Sequence, residues 1–197
     1  PKGDVVSGVI HISGQPTQQI LSQAIPQILS KMRFAKNMRW GDGTCLFVRA
    51  VRSILALFDG EIIPFSFGGI QAGRESFGHR FHGDQHFQVT CIQDYLETKQ
   101  KNHIVLTHAD RVLQIENQIT AHLESLGARL VRDDDLLHEV ADLVESPYVV
   151  LGSFEPIFLD VPREILITSL REHQKSFCLE DNQGQLLPHF LAIASVP

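Results

Sequence analysis

The sequence is poor in the residues that announce chemistry by themselves. It has only three cysteines, Cys45, Cys91 and Cys178, far apart and without a C-x-x-C pair. That pattern excludes a disulfide framework or a cysteine zinc site and fits reduced thiols in a cytoplasmic setting. No apolar run approaches the roughly 20 residues of a membrane-spanning helix, and stretches such as Tyr148-Val149-Val150-Leu151 suit a buried strand. No basic segment followed by an apolar core opens the chain, so no secretory signal is expected. Gly68-Gly69 with Gly73 lacks the Gly-Lys-Ser/Thr ending of a phosphate loop. No serine sits in a nucleophile elbow, and no cysteine has an activating partner beside it in sequence. The reading names no catalytic residue and no metal ligand set.

What remains is ordinary globular material. With 197 residues, 43 % of them hydrophobic and 20 % charged, the chain can bury about 70 % of its unfolded surface and needs no staples. A start at Pro1 and an end at Val196-Pro197 read as a piece of a longer polypeptide. The net charge of −6 argues on average against a nucleic-acid binder. The layout says otherwise: Lys31, Arg33, Lys36, Arg39, Arg49 and Arg52 stand against Asp42 alone, while acids pool in Asp133-Asp134-Asp135 and around Glu139 to Glu145. Short-range field follows nearby charges, so a basic face on an acidic chain can hold phosphate.

The densest signal runs from Met38 to His82. Met38-Arg39-Trp40-Gly41, Phe47-Val48-Arg49-Ala50-Val51-Arg52, Gly69-Ile70-Gln71-Ala72-Gly73-Arg74 and Gly78-His79-Arg80-Phe81-His82 repeat arginine, glycine and aromatics without a helix or strand period. Arginine offers a planar fork to two phosphate oxygens, which makes Arg39, Arg49, Arg52, Arg74 and Arg80 candidates for a sugar-phosphate backbone. The plain alternative is internal bracing, by Asp42, Glu61 or Glu75 or by stacking on Trp40. His79, His82 and His86 would converge on a metal only on a helix. The flanking glycines indicate extended chain instead, with His79 and His82 on opposite faces and His79 organising the loop. His173-Gln174-Lys175 ends a helix, where positive charge is favourable and capping competes with contact to an anionic partner.

The periodicity predicts a helix from Pro16-Thr17 through Leu29 that Pro26 can bend, and β-like segments over 46–48 and 51–58. A hairpin turn is expected at Asp59-Gly60, with a return strand over 61–67. Arg80 to Val89 alternates as a strand would. Beyond it come helices over 94–100, 109–126 (capped by Gly127), 134–144 and 162–175. Strands are expected over 103–106, 128–131 and 148–151, and a closing hairpin around Asp181–Gly184. Asp133 to Asp135 read as the cap of the following helix. The fold class is α/β or α+β, a mixed β-sheet with flanking helices, entered through a helical lead-in over 1–37 and continuing as one domain over 38–197.

These blocks closely resemble the β subunit of bacterial-type glycyl-tRNA synthetase. The likeness continues through Asp135-Leu136-Leu137-x-Glu139-Val140, Val144-Glu145-x-Pro147, Leu151-Gly152-Ser153-Phe154, Ile167-Thr168, His173-Gln174-Lys175-x-Phe177 and Gly184-x-Leu186-Leu187-Pro188-x-Phe190. The family usually has Pro where this chain has Ala50, an aromatic at Ser146 and Pro at Cys178, so no role is carried over to those three positions.

The resemblance implies a heterotetramer whose α subunit holds glycine, ATP and magnesium, with the β subunit recognising the glycine tRNA. This stretch would be the N-terminal region of β, without the HD-type and anticodon-binding domains. Its fold would be similar to the editing-type domain of phenylalanyl-tRNA synthetase β subunits, with no cofactor of its own. The expected role is tRNA contact and assembly, through Arg39, Arg49, Arg52, Arg74, His79, Arg80 and Lys175. Hydrolytic editing of mischarged tRNA and purely structural docking to α are the alternatives.

Overall fold

A computed structural model describes residues 8–10, 13–41, 43–83 and 86–196. The chain forms two compact units, one of Pro1–Ser76 with Gln88–Asp94, the other of Phe77–Phe87 with Tyr95–Pro197. Its elements are mixed α and β: five α-helices and several small sheets among the described residues.

The first unit opens with α1, Thr17–Lys31, entered from the extended Pro16. Pro26 lies inside the helix without ending it. A proline cannot donate to the carbonyl one turn back, and Ser30 Oγ donates to the Pro26 carbonyl at 2.7 Å. The apolar face Leu21, Ile25 and Leu29 packs on Ile63, Phe65 and Phe67. Those three are the alternate residues of the return strand, which is why a period of two was readable over 61–67.

Regular pairing is shorter than the alternation: β1 is Ile54–Leu55, β2 Leu57–Phe58, β3 Glu61–Ile62, β4 Ser66–Phe67 and β5 Ile70–Gly73. β2 and β3 form the expected hairpin, with Leu57 opposite Ile62. Asp59 at φ 50° and Gly60 at φ 78° give it the paired left-handed turn that matches strand twist. β1 runs parallel to β5 and β4 antiparallel to it, so this small sheet is mixed. Two short strands, β6 (Glu75–Ser76) and β7 (Phe87–Gln88), follow.

The larger unit contains α2 (Ile92–Lys101, from Tyr95 onward), α3 (His108–Leu126), α4 (Asp134–Leu143) and α5 (Arg163–Gln174). Its strands are β8 (Arg129–Leu130), β9 (Tyr148–Ser153), β10 (Ser176–Glu180) and β11 (Leu186–Ala194). They lie in the order β8-β10-β11-β9 and every neighbouring pair is antiparallel, so the mixed sheet expected for the whole chain is confined to the smaller unit. Ile115 and Ile119 of α3 and Leu136, Leu137 and Val140 of α4 bury against Val149, Phe177, Leu179 and Leu191 of the sheet.

The helix ends are chemically specified. Thr107 accepts from the Asp110 N–H at the start of α3, Gly127 closes it at φ 59°, and Asp133 Oδ1 accepts from the Leu136 N–H at 2.8 Å. The edge strand β9 is covered by side chains of α3: Gln118 accepts from the Val149 N–H and donates to the Pro147 carbonyl, both at 2.9 Å. Such cover satisfies backbone groups at the start of this edge, of the kind that invite association when left unpaired.

Two strand expectations fail. Residues 103–106 form no strand: His103 sits at φ 58° and Val105 N donates once, to the Glu145 carbonyl. Among the described residues of the alternation over 80–89, only Phe87–Gln88 is strand, because 80–83 folds into a turn closed by Gly83 N donating to the His79 carbonyl at 2.8 Å.

Candidate nucleic-acid interface

In the first unit, Met38 and Phe47 form a two-way backbone bridge, Met38 N to Phe47 O at 2.9 Å and Phe47 N to Met38 O at 3.3 Å. Phe47 is fixed by edge contacts with Phe34 and Phe67, ring centroids 5.1 and 5.3 Å away. Trp40 is fixed by Gly68, at φ 59°, where a Cβ would stand 2.9 Å from the indole Cζ2. Phe47 and Trp40 are thus internal fixings of the motif. The side chains of Arg39, one residue past Met38, and Arg49, two past Phe47, are left exposed.

Arg52 and Arg74 lie at opposite ends of the parallel β1–β5 pair. Arg52 is exposed, whereas Arg74 is half-buried and donates to the Gly60 carbonyl at 3.2 Å, bracing the hairpin turn. The expected acidic braces Glu61 and Glu75 do not pair with an arginine; Glu75 Oε1 instead accepts from Gln88 at 3.0 Å. Asp42 lies outside the described residues. Lys31, Arg33, Lys36, Arg39, Arg49 and Arg52 are all exposed and have no ion pair among the described residues.

The other three candidates belong to the larger unit. His79 is buried, its N–H donates to the Asn102 carbonyl at 2.9 Å and its Nδ1 accepts from the Phe81 N–H at 3.4 Å. The turn places His82 against it, rings 5.2 Å apart and 11° from parallel, so the two histidines are not on opposite faces. A Cβ on Gly83 would come within 2.5 Å of His79 N and 2.7 Å of the Asn102 carbonyl, which only glycine avoids. Lys99 steadies the entry to this turn by donating to the Phe77 carbonyl at 2.6 Å, and burial pushes its ammonium below the ordinary lysine value. Arg80 is exposed and lies over the Phe81 ring at 5.7 Å. Lys175 caps α5 in the left-handed conformation, φ 49°, and its ammonium binds Glu139 of α4 at 2.8 Å. Among the described residues no three His, Cys, Asp or Glu side chains are placed to hold a metal ion. No helix among them is long and apolar enough to cross a membrane.

The division into units also divides the charge. The smaller unit has eight Lys and Arg against six Asp and Glu; the larger has nine against seventeen. Sequence averages hid this, since the boundary falls inside the Arg-Gly-aromatic block rather than at a linker. Sequence reasoning also missed a polar cluster of α3 and α4, in which Asp142, His108 and His138 are joined in series. His138 and Asp142, four residues apart on one helix, were its only visible trace.

The family model described as glycyl-tRNA synthetase beta subunit matches residues 1–197. The chain is 40 % identical over 194 residues to the glycine–tRNA ligase beta subunit of Syntrophotalea carbinolica. It is 41 % identical over 192 residues to that of Geobacter sulfurreducens and 42 % over 192 to that of Geotalea uraniireducens. Each match takes in 98 % of this chain and 28 % of the relative, so the chain spans little more than a quarter of the length of these proteins. Match over the full described length, with the motifs in order, makes the chain a member of the glycyl-tRNA synthetase beta subunit family.

Proposed function

We propose that this chain is a non-catalytic tRNA-contact and assembly region of a glycine–tRNA ligase beta subunit. The observation that carries the reading is the set of exposed cations in the smaller unit, Lys31, Arg33, Lys36, Arg39, Arg49 and Arg52, none of them ion-paired among the described residues, in a chain that is acidic overall. Phosphate contacts position a nucleic acid without reading its sequence, which suits exposed arginines on a braced loop. Arg39, Arg49 and Arg52 are the contacts on this reading, with Arg80 a further one in the larger unit. Arg74, His79 and Lys175 serve them by holding the fold.

The same reading makes an α subunit and the glycine tRNA the partners. Glycine, ATP and magnesium are then handled by α, in a cytoplasmic heterotetramer. Likeness of fold to the editing-type domain of phenylalanyl-tRNA synthetase β subunits belongs to this proposal, and release of alanine or serine from mischarged tRNA would favour editing over it.

The test is salt-dependent tRNA binding by the αβ complex with Arg39, Arg49 and Arg52 changed to Gln. Each lost phosphate contact should lower the slope of log K against log salt by about 0.7–0.9. Unchanged affinity and slope would remove the proposal.

A further inference from the structure

The larger unit holds a cavity of about 320 Å³ lined by Phe154, Phe158, Phe190, Leu166 and Leu170, with Ser169 and Gln174 its polar members. It is a built feature. Phe190 on β11 pairs with Gly152 on β9, and a Cβ at 152 would stand 2.3 Å from the Phe190 ring. Only glycine lets that ring lie flat across the strand and floor the cavity. One wall is α5, whose Leu166, Ser169 and Leu170 share a face at helical spacing. The other wall comes from the 3-10 turn Pro156–Asp160.

The surface beside it is apolar where a free surface would be polar. Ile157 is 67 % exposed, Phe158 50 % and Ile165 59 %, each in or next to a lining residue. Large exposed apolar groups gathered on neighbouring elements are a common mark of interaction sites.

The same elements carry Glu155, Asp160 and Glu164, exposed and without an ion pair among the described residues. The arginines of α5 are not available to offset them. Arg163 is held by Glu180 at 2.6 Å and by the Gly184 carbonyl at 2.9 Å, and Arg171 by Asp133 at 2.5 Å. An apolar cavity inside an acidic rim rejects a phosphate backbone. It also disfavours a second copy of itself, since a two-fold interface would bring the three acids against their own images.

We propose that this face docks a segment of the full-length beta chain lying outside these 197 residues, one that inserts an aromatic or large aliphatic side chain flanked by Lys or Arg. The occupant's chemistry follows from the site: apolar anchor for the three phenylalanines, flanking cations for Glu155, Asp160 and Glu164. Its source follows from length, because the relatives extend far beyond the stretch they share with this chain. The inference deepens the assembly half of the proposed function. It uses none of the arginines of the other unit, so either can fail while the other stands.

A photoreactive benzophenone side chain at Ile165 in the purified αβ complex tests it. The expected cross-link is to a beta-chain peptide outside these residues with an apolar anchor beside at least two basic residues. Ile157→Asp, at an exposed position, should cut the cross-link yield at least tenfold, and Glu164→Lys should lower it most at low salt. Cross-links to the α subunit, to tRNA or to the same face of a second beta chain would overturn the proposal. So would a complex in which Ile165 cross-links to nothing.

Discussion

Nε2 of His108 lies 2.9 Å from Nδ1 of His138, and the two rings meet end-on, with centroids 5.1 Å apart and planes 18° from parallel. The other nitrogen of His108, Nδ1, is 2.8 Å from Asp142 Oδ1. A carboxylate only accepts, so His108 Nδ1 carries the proton. With both rings neutral, His108 Nε2 accepts from His138 Nδ1, and each ring is held in the Nδ1–H form. Nitrogen-detected NMR of the two imidazoles should show that tautomer in the chain. Asp142→Ala should release His108 to mixed tautomers while leaving the α3 and α4 backbone resonances in place.

The same cluster sets an acid limit. The His108 N–H, aided by Arg111 3.3 Å away, holds the Asp142 carboxyl below the usual carboxylate value. A depressed folded-state value contributes stability above the unfolded one, near 3.9, and loses it as pH falls through the folded one. In urea titrations, the stability difference between the native chain and Asp142→Asn should therefore be fully present above about pH 4 and shrink progressively as pH falls below it. A difference that grows on acidification would contradict the arrangement.

Asp133 carries two duties at once. Burial pushes its carboxyl up, but the Leu136 N–H and Arg171 more than reverse this and hold it below the ordinary value. Removing an N-cap of this kind costs about 1–2 kcal/mol, and here the guanidinium of Arg171 also loses its 2.5 Å partner. Asp133→Ala should lower stability by at least that amount. Asp133→Ser keeps the cap alone and should fall between the two.

Gly152→Ala asks whether the Phe190 ring can move. The added Cβ would sit 2.3 Å from it, and overpacking of a formed core costs about 1–3 kcal/mol. The expected result is a lower melting temperature, with partial recovery in Gly152→Ala combined with Phe190→Leu. No recovery would mean that the strand itself, not the ring, resists the methyl.

The thiols should separate by reactivity. Cys91 is exposed and Cys45 half-buried. Burial pushes the Cys178 thiol up to about 11 against the pull of Arg163. Since the thiolate is the reactive form, native alkylation at pH 8 should modify Cys91 first. Cys178 should react only after unfolding.

Elements with local causes were legible in the sequence. α3 has an apolar stripe, a Thr107 cap and a Gly127 stop, and the Asp59-Gly60 hairpin has its turn residues in hand. The loop over 80–83 was not legible, because Arg80 to Val89 alternates like a strand while the turn is anchored by the His79 N–H on the carbonyl of Asn102, more than twenty residues away. The hydrogen bond of Arg74 was hidden for a related reason: its acceptor is the Gly60 carbonyl, and a backbone acceptor leaves no mark in residue identity. The exposed arginines were readable as a group, yet which of them the fold keeps for itself depended on tertiary placement.

Lys175 shows what a family signature can conceal. It stands in the motif His173-Gln174-Lys175-x-Phe177, where a cation invites reading as a nucleic-acid ligand. Here it reverses the chain from α5 into β10 and clamps the turn to α4 through Glu139. A weaker tRNA affinity in a Lys175 variant would therefore not by itself separate a loosened joint from a lost ligand. A motif residue can thus serve as a fastener, and a mutational survey guided by motif alone can map scaffold where it means to map interface.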